Sequence, residues 1–204
     1  MKTLNNIAVY CGSNFGNTPD YYHAAKLMGQ TLATQHIRLI YGGGNVGLMG
    51  TIADSVLAHG GEVTGVIPTF LKQKEVAHTA LNELIETADM ATRKYKMIEL
   101  ADGFIAMAGG IGTLEELYEV LSLLQLRQHD KPVGILNTHG FFDPFLASLQ
   151  KYADEGFMPQ ANLDLICVSD DPADLLERMR HFEFVDAQKW VRPAWLDQQD
   201  IPTW

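Results

Sequence analysis

In three places an apolar run breaks directly into glycine. Ile7-Ala8-Val9-Tyr10 runs into Cys11-Gly12-Ser13-Asn14, Leu39-Ile40-Tyr41 into Gly42-Gly43-Gly44, and Phe104-Ile105-Ala106-Met107-Ala108 into Gly109-Gly110. Short runs that are apolar throughout and end in turn residues predict strands buried on both faces. Between them the apolar positions switch to helical spacing, as at Ala24, Ala25, Leu27, Met28 and Leu32 after Pro19, and at Ala53, Val56 and Leu57. The runs 63–68 (VTGVIP), 132–137 (PVGILN) and 165–170 (LICVSD) continue the pattern, and Asp143-Pro144 and Asp171-Pro172 predict helix starts after the last two. By contrast, 69–84 has no clear period and reads as a loop, before 93–101 turns helical through Met97, Ile98 and Ala101. Strands alternating with amphipathic helices predict an α/β chain with a parallel sheet and helices on both faces. Open sheets of that kind take ligands outside the carboxyl ends of their strands, which directs attention to the glycine loops.

A length of 204 residues suits a single core. The expected division is one α/β domain over 1–182 and an irregular tail over 183–204. That tail carries Trp190, Trp195 and Trp204 and is expected to pack on the domain or on a partner subunit. With 15 Lys and Arg against 25 Asp and Glu, the formal charge is -10, so neither nucleic acid nor a membrane surface is expected as a partner. An anionic ligand would need a local site. The chain opens without a long apolar leader, and the cytoplasm is the expected setting. Cys11 and Cys167 lie in apolar runs, which predicts buried thiols rather than a disulfide framework, and Cys11 has no base beside it to make it a nucleophile. The seven histidines show no ligand spacing, so no metal is expected.

The loops themselves can be weighed. Gly42-Gly43-Gly44-Asn45-Val46-Gly47 fits GxGxxG between a strand and a helix, but the next strand ends Val66-Ile67-Pro68, where a dinucleotide site would hold a ribose-binding acid. NAD and a dehydrogenase are therefore disfavoured, and tight packing competes with a ligand-facing role for Gly43 and Gly44. Gly109, Gly110 and Gly112 open a helix whose unpaired amides and positive end suit a phosphate. The plain alternative is a capping box, Thr113-Leu114-Glu115-Glu116, with the buried stripe at Leu114, Leu117, Leu121 and Leu124. Arg93-Lys94 opens the preceding helix, an unfavourable end for cations that an anion could offset. The plain alternative there is a surface pair matched to Glu99 or Glu62. Glu75 with His78 sits in the irregular stretch, and Ser13 could donate to a ligand or form a turn.

These residues resemble the Lonely Guy family of cytokinin riboside 5'-monophosphate phosphoribohydrolases, long labelled as possible lysine decarboxylases. The likeness covers about 5–180 and rests on VYCGSN, YGGGNVGLMG, EVAH, RKYKM, GGIGTLEEL and KPVGILN, in one order. The family pattern PGGxGTxxE matches here with Ala108 in place of proline, and Met90-Ala91-Thr92-Arg93-Lys94 replaces the family's frequent Met-His-Glu-Arg-Lys. The resemblance implies a Rossmann-like three-layer sandwich. It also implies cleavage of a purine nucleoside 5'-monophosphate to free base and ribose 5-phosphate, without a cofactor, by a homodimer. Arg93 and Glu116 become the implied catalytic residues. Ser13, Gly43, Gly44, Glu75, Lys94, Gly109, Gly110, Ile111, Gly112, Thr113 and Glu115 become the implied substrate contacts. Pyridoxal phosphate chemistry has no lysine in a recognisable Schiff-base context. A nucleotide-binding sensor or carrier without chemistry is the alternative from another class.

Overall fold

The computed structural model describes residues 1–72 and 77–185. Among these, β1 (Asn6–Tyr10), β2 (Arg38–Tyr41), β3 (Val63–Pro68), β4 (Glu83–Thr87), β5 (Gly103–Ala106), β6 (Val133–Leu136) and β7 (Ile166–Ser169) form one parallel sheet. The helices are α1 (Pro19–Thr34), α2 (Gly47–Ala58), α3 (Met90–Leu100), α4 (Ile111–Gln125), α5 (Asp143–Asp154), the short α6 (Gln160–Asp164) and α7 (Pro172–Arg180). Across the sheet the order is β4-β3-β2-β1-β5-β6-β7, so the winding reverses between β1 and β5. Tyr10 stands opposite Ala106, which ends both strands at the same height and leaves the crevice typical of such a reversal above them.

Alternate strand residues feed two cores, one on each face. Val9, Leu39 and Ile105 meet Met28, Ile52 and Leu176 on the face of α1, α2 and α7. Ala8, Phe104 and Ile135 meet Met97, Leu117 and Phe145 on the face of α3, α4 and α5. Central strands covered on both sides must be apolar at every position, which is why their text was legible. The fold is the α/β sandwich the sequence predicts, and no described helix is long and apolar enough to cross a membrane.

The predicted loop over 69–84 runs into β4, which among the described residues pairs only with β3, at the sheet edge. Its glutamates are exposed while Leu84 and Ile85 are half-buried; a solvated edge tolerates charge, and charge discourages further pairing. Helix starts also differ from the sequence reading. The N-cap of α3 is Asp89, whose carboxylate accepts the Thr92 amide at 2.7 Å, so Arg93 and Lys94 stand beyond the first three positions. That amide holds the Asp89 carboxyl below its ordinary value and supplies the negative charge the helix end favours. The N-cap of α4 is Gly110, which places Thr113 inside the first turn, and the predicted capping box does not form. Asp143 is the first residue of α5 rather than its cap and accepts instead from Asn137 Nδ2 at 2.8 Å, whereas Asp171 does cap α7, accepting from the Asp174 amide at 2.8 Å. Both cysteines are free, Cys11 buried and Cys167 half-buried. Burial pushes both thiols up, Cys167 to about 11, which keeps them out of thiolate chemistry. The tail from 186 onward lies outside the described residues.

Candidate active site

The loops after β1 and β5 are stitched together at the crevice: the Gly12 amide donates to the Ala108 carbonyl at 3.0 Å, and the Leu48 amide to the Gly12 carbonyl at 3.0 Å. A Cβ on Gly109 would lie 2.1 Å from Thr113 Oγ1 and 2.9 Å from Gly12 N, so glycine lets two loops and α4 close on one another. Gly110 and Gly112 are different, because a Cβ on either would meet nothing within 4 Å. Ile111 between them is 87% exposed. With no side chain on the N-cap, the first-turn amides of α4 open toward solvent at the positive end of the helix, a ready phosphate site. Exposed Ser13 joins Gly12, Phe15, Tyr21, Gly110 and Phe141 around a cavity of about 270 Å³ on the α1 side of that mouth.

On the opposite face lie two buried charges, Arg93 and Glu116. Arg93 Nε donates to the Val66 carbonyl at 3.1 Å, and Nη1 lies 3.8 Å from Glu116 Oε1. Its Nη2 fills the space that a Cβ on Gly42 would take, only 2.1 Å away. An isolated buried ion costs several kcal/mol, so a facing carboxylate and a backbone carbonyl are what allow this guanidinium to stay inside. The negative field of Glu116 reaches the end of β1. Burial first, and then Glu116 and Glu119, raise the Tyr10 hydroxyl well above its ordinary value, and Glu116 adds to the burial that raises Cys11.

Lys94 and Glu115 are brought to each other rather than to Glu99 or Glu62. Lys94 Nζ is hydrogen-bonded to Glu115 and lies 3.3 Å from Glu119 Oε1, while Glu99 pairs with Lys96 and Glu62 with Arg38. The hydrogen bond to Glu115 raises the Lys94 pKa, the reverse of what a Schiff-base lysine needs. Gly43 adopts a left-handed φ of +77°, and its carbonyl accepts the His78 amide at 2.9 Å; Gly44 is bridged to Ala77. Glu75 falls in 73–76, outside the described residues. Among the described residues no group of three or more His, Cys, Asp or Glu is placed to hold a metal ion. The Val66 carbonyl, the wall at Gly42 and the contact of His78 with Asp54 were not visible in the sequence; only the glycine triplet itself hinted at a close approach.

A family profile described as "Possible lysine decarboxylase" matches residues 49–179. A cytokinin riboside 5'-monophosphate phosphoribohydrolase of Arabidopsis thaliana is 38% identical over 189 residues, spanning 93% of this chain and 83% of the relative. A rice protein (Oryza sativa subsp. japonica) named "Probable cytokinin riboside 5'-monophosphate phosphoribohydrolase" is 42% identical over 189 residues, spanning 93% and 85%. The chain belongs to the Lonely Guy family. This Lonely Guy chain also shares its fold with the molybdenum cofactor binding protein of Rippkaea orientalis, at a TM-score of 0.65 and 24% identity over 88% of this chain and 97% of that one. The Moco carrier protein of Chlamydomonas reinhardtii superposes at 0.65 with 22% identity, over 88% and 98%. At such identities the likeness is one of fold alone. The relatives near 40% identity carry the family assignment.

Proposed function

We propose that the protein hydrolyses the N-glycosidic bond of a purine nucleoside 5'-monophosphate, AMP or N6-prenylated AMP, to free base and ribose 5-phosphate. The observation that carries this reading is a buried Arg93–Glu116 pair whose carboxylate lies on α4, the helix that opens with the uncapped first-turn amides. The phosphate takes the amides of Ile111, Gly112 and Thr113 and the hydroxyl of Ser13, with Gly110 and Gly112 leaving room for it. A phosphate dianion repels carboxylates, so Glu116 faces the sugar. As the bond from C1' to the base breaks, its electron pair leaves with the base, which takes up a proton. Water adds to C1' and gives up a proton. Positive charge develops on the ribose ring, and the Glu116 carboxylate stabilises it and orients the water. Arg93 faces Glu116 and keeps it in place, a role supported by its engagement with Val66, Glu116 and Gly42. Lys94 and Glu115, joined by their ion pair, act at the rim, and Glu75, Gly43 and Gly44 are kept as further substrate contacts.

Free base measured after incubation with AMP and with N6-prenylated AMP tests the reaction. Glu116→Gln is expected to lower turnover on the order of 100- to 1,000-fold, as loss of a charge-stabilising group does, while calorimetric nucleotide binding persists. Turnover retained by that variant removes Glu116 from the mechanism. Nucleotide binding by the wild type without product from any purine monophosphate makes the protein a carrier instead.

The same reading has residues 1–182 as the nucleotide-binding domain of a cytoplasmic homodimer, a setting in which free thiols such as Cys11 and Cys167 are ordinary. An apolar groove of about 240 Å³ between α4, α5 and α6, lined by Tyr118, Leu121, Tyr152, Phe157 and Met158, supports the dimer; Phe157 is 87% exposed. Light scattering is expected to return twice the chain mass, and a monomer mass overturns the assembly.

A further inference from the structure

We infer that His78 is a positioning residue for the Arg93–Glu116 pair, acting through the glycine loop after β2. This rests on the catalytic reading of that pair given above. His78 is buried, and three bonds leave it. Its backbone amide donates to the Gly43 carbonyl at 2.9 Å. Its ring Nδ1 accepts the Ala80 amide at 3.2 Å, and Nε2 lies 3.0 Å from Asp54 Oδ1. A backbone N–H can only donate, so Nδ1 presents a lone pair and the ring proton sits on Nε2, directed at the Asp54 carboxylate; the tautomer follows from the partners.

Asp54 belongs to α2, the helix into which the same glycine loop runs. One residue therefore braces both ends of 43–54, the loop through its carbonyl and the helix through its carboxylate. The bridge between Gly44 and Ala77 joins the residue before His78 to the loop at the next position. Gly42 precedes the clamped residue, and its bare face receives Arg93 Nη2. A loop displaced toward Arg93 presses on the guanidinium, and a loop displaced away leaves it without a wall. Either movement disturbs an Arg93–Glu116 separation of 3.8 Å, which is longer than a hydrogen bond. Misplacement of about 1 Å arising far from the chemistry can cost on the order of 100-fold in rate.

The alternative role for His78 is fold stability alone, and Asp54 separates the two because its side chain is 69% exposed and its removal leaves the core intact. Asp54→Ala and His78→Ala are each expected to lower kcat for base release on the order of tenfold, with KM held within about twofold, since groups made only to position a transition state act on kcat. The double variant is expected to fall no further than the worse single variant, because the two residues act as one unit. His78→Gln, whose amide nitrogen reaches the Nε2 position, is expected to recover most of kcat, and His78→Asn is not. A readout free of turnover is the 15N–1H resonance of Arg93 Nε, buried against the Val66 carbonyl, which is expected to shift in Asp54→Ala. An unmoved resonance with unchanged kcat in Asp54→Ala overturns the inference, as do losses that multiply in the double variant or that only track the unfolded fraction. Failure of the wild type to release base from any purine monophosphate sinks the proposed reaction instead, and the resonance still decides the clamp.

Discussion

The loops after β2 and β5 are written in nearly the same letters, Gly42-Gly43-Gly44-Asn45-Val46-Gly47 and Gly109-Gly110-Ile111-Gly112, and each leads into a helix. Their glycines serve opposite ends. In the first loop the missing side chains are replaced by the protein itself: Arg93 Nη2 lies 2.1 Å from the Cβ position of Gly42, and the Ser13 carbonyl carbon 2.3 Å from that of Gly47, which also has a left-handed φ of +55°. In the second loop Gly109 is packed in the same way, but Gly110 and Gly112 face open space. A glycine that resembles a nucleotide fingerprint can thus be a wall, while the glycines with no neighbour at all leave open space at the mouth of α4. The sheet order explains which loop does which, because the crevice opens between β1 and β5, one strand away from β2.

The largest expected effect comes from making the wall intrude. Gly42→Ala places a methyl on the guanidinium, and because the clashing atom ends a flexible side chain, the fold yields by expelling Arg93 rather than by unfolding. We expect kcat for base release to fall on the order of 100-fold while overpacking costs about 1 kcal/mol of stability. Denaturant melts run beside the base-release assay check both. A variant with unchanged kcat would show that the wall at Gly42 does not seat Arg93 for the proposed reaction.

How much of this was legible follows from what each residue needs. Strands such as Ile7 to Tyr10 and Phe104 to Ala106 are covered on both faces, and that burial forces an apolar text which can be read without a structure. The edge strand Glu83–Thr87 has one paired side among the described residues, so its text keeps charge and escapes the same reading. Thr113 and Glu116 have the spacing of a capping box, yet the same spacing one turn into a helix serves a different purpose, and only the backbone of Gly110 decides between them. Arg93 and Glu116 were singled out through family motifs, but their meeting depends on packing of α3 and α4 over neighbouring strands, a non-local matter that spacing along the chain does not encode. The pairing of Lys94 with Glu115 is of the same kind. Asp89 and Asp171 show the converse, since a cap three residues before its amide partner is a local arrangement.

A smaller effect on the fold, confined to substrate binding, is expected from closing the open loop. Gly110 has an extended backbone, with φ of -97° and ψ of -156°, and free space at its Cβ, so Gly110→Asp fits without strain and supplies the side-chain cap that α4 lacks. Aspartate and glycine differ as caps by only a few tenths of a kcal/mol, which predicts a melting temperature equal to that of the wild type or slightly higher. The new carboxylate takes a first-turn amide that the phosphate would otherwise use and repels the dianion. Losing one charge-assisted hydrogen bond, about 1.5 to 3 kcal/mol, raises KM on the order of tenfold or more. Because Arg93 and Glu116 are untouched, kcat at saturation is expected to stay near the wild-type value, opposite to the outcome at Gly42. Steady-state kinetics on AMP read the two parameters separately, and a Gly110→Asp enzyme with unaltered KM would mean that the phosphate sits elsewhere than on the open mouth of α4.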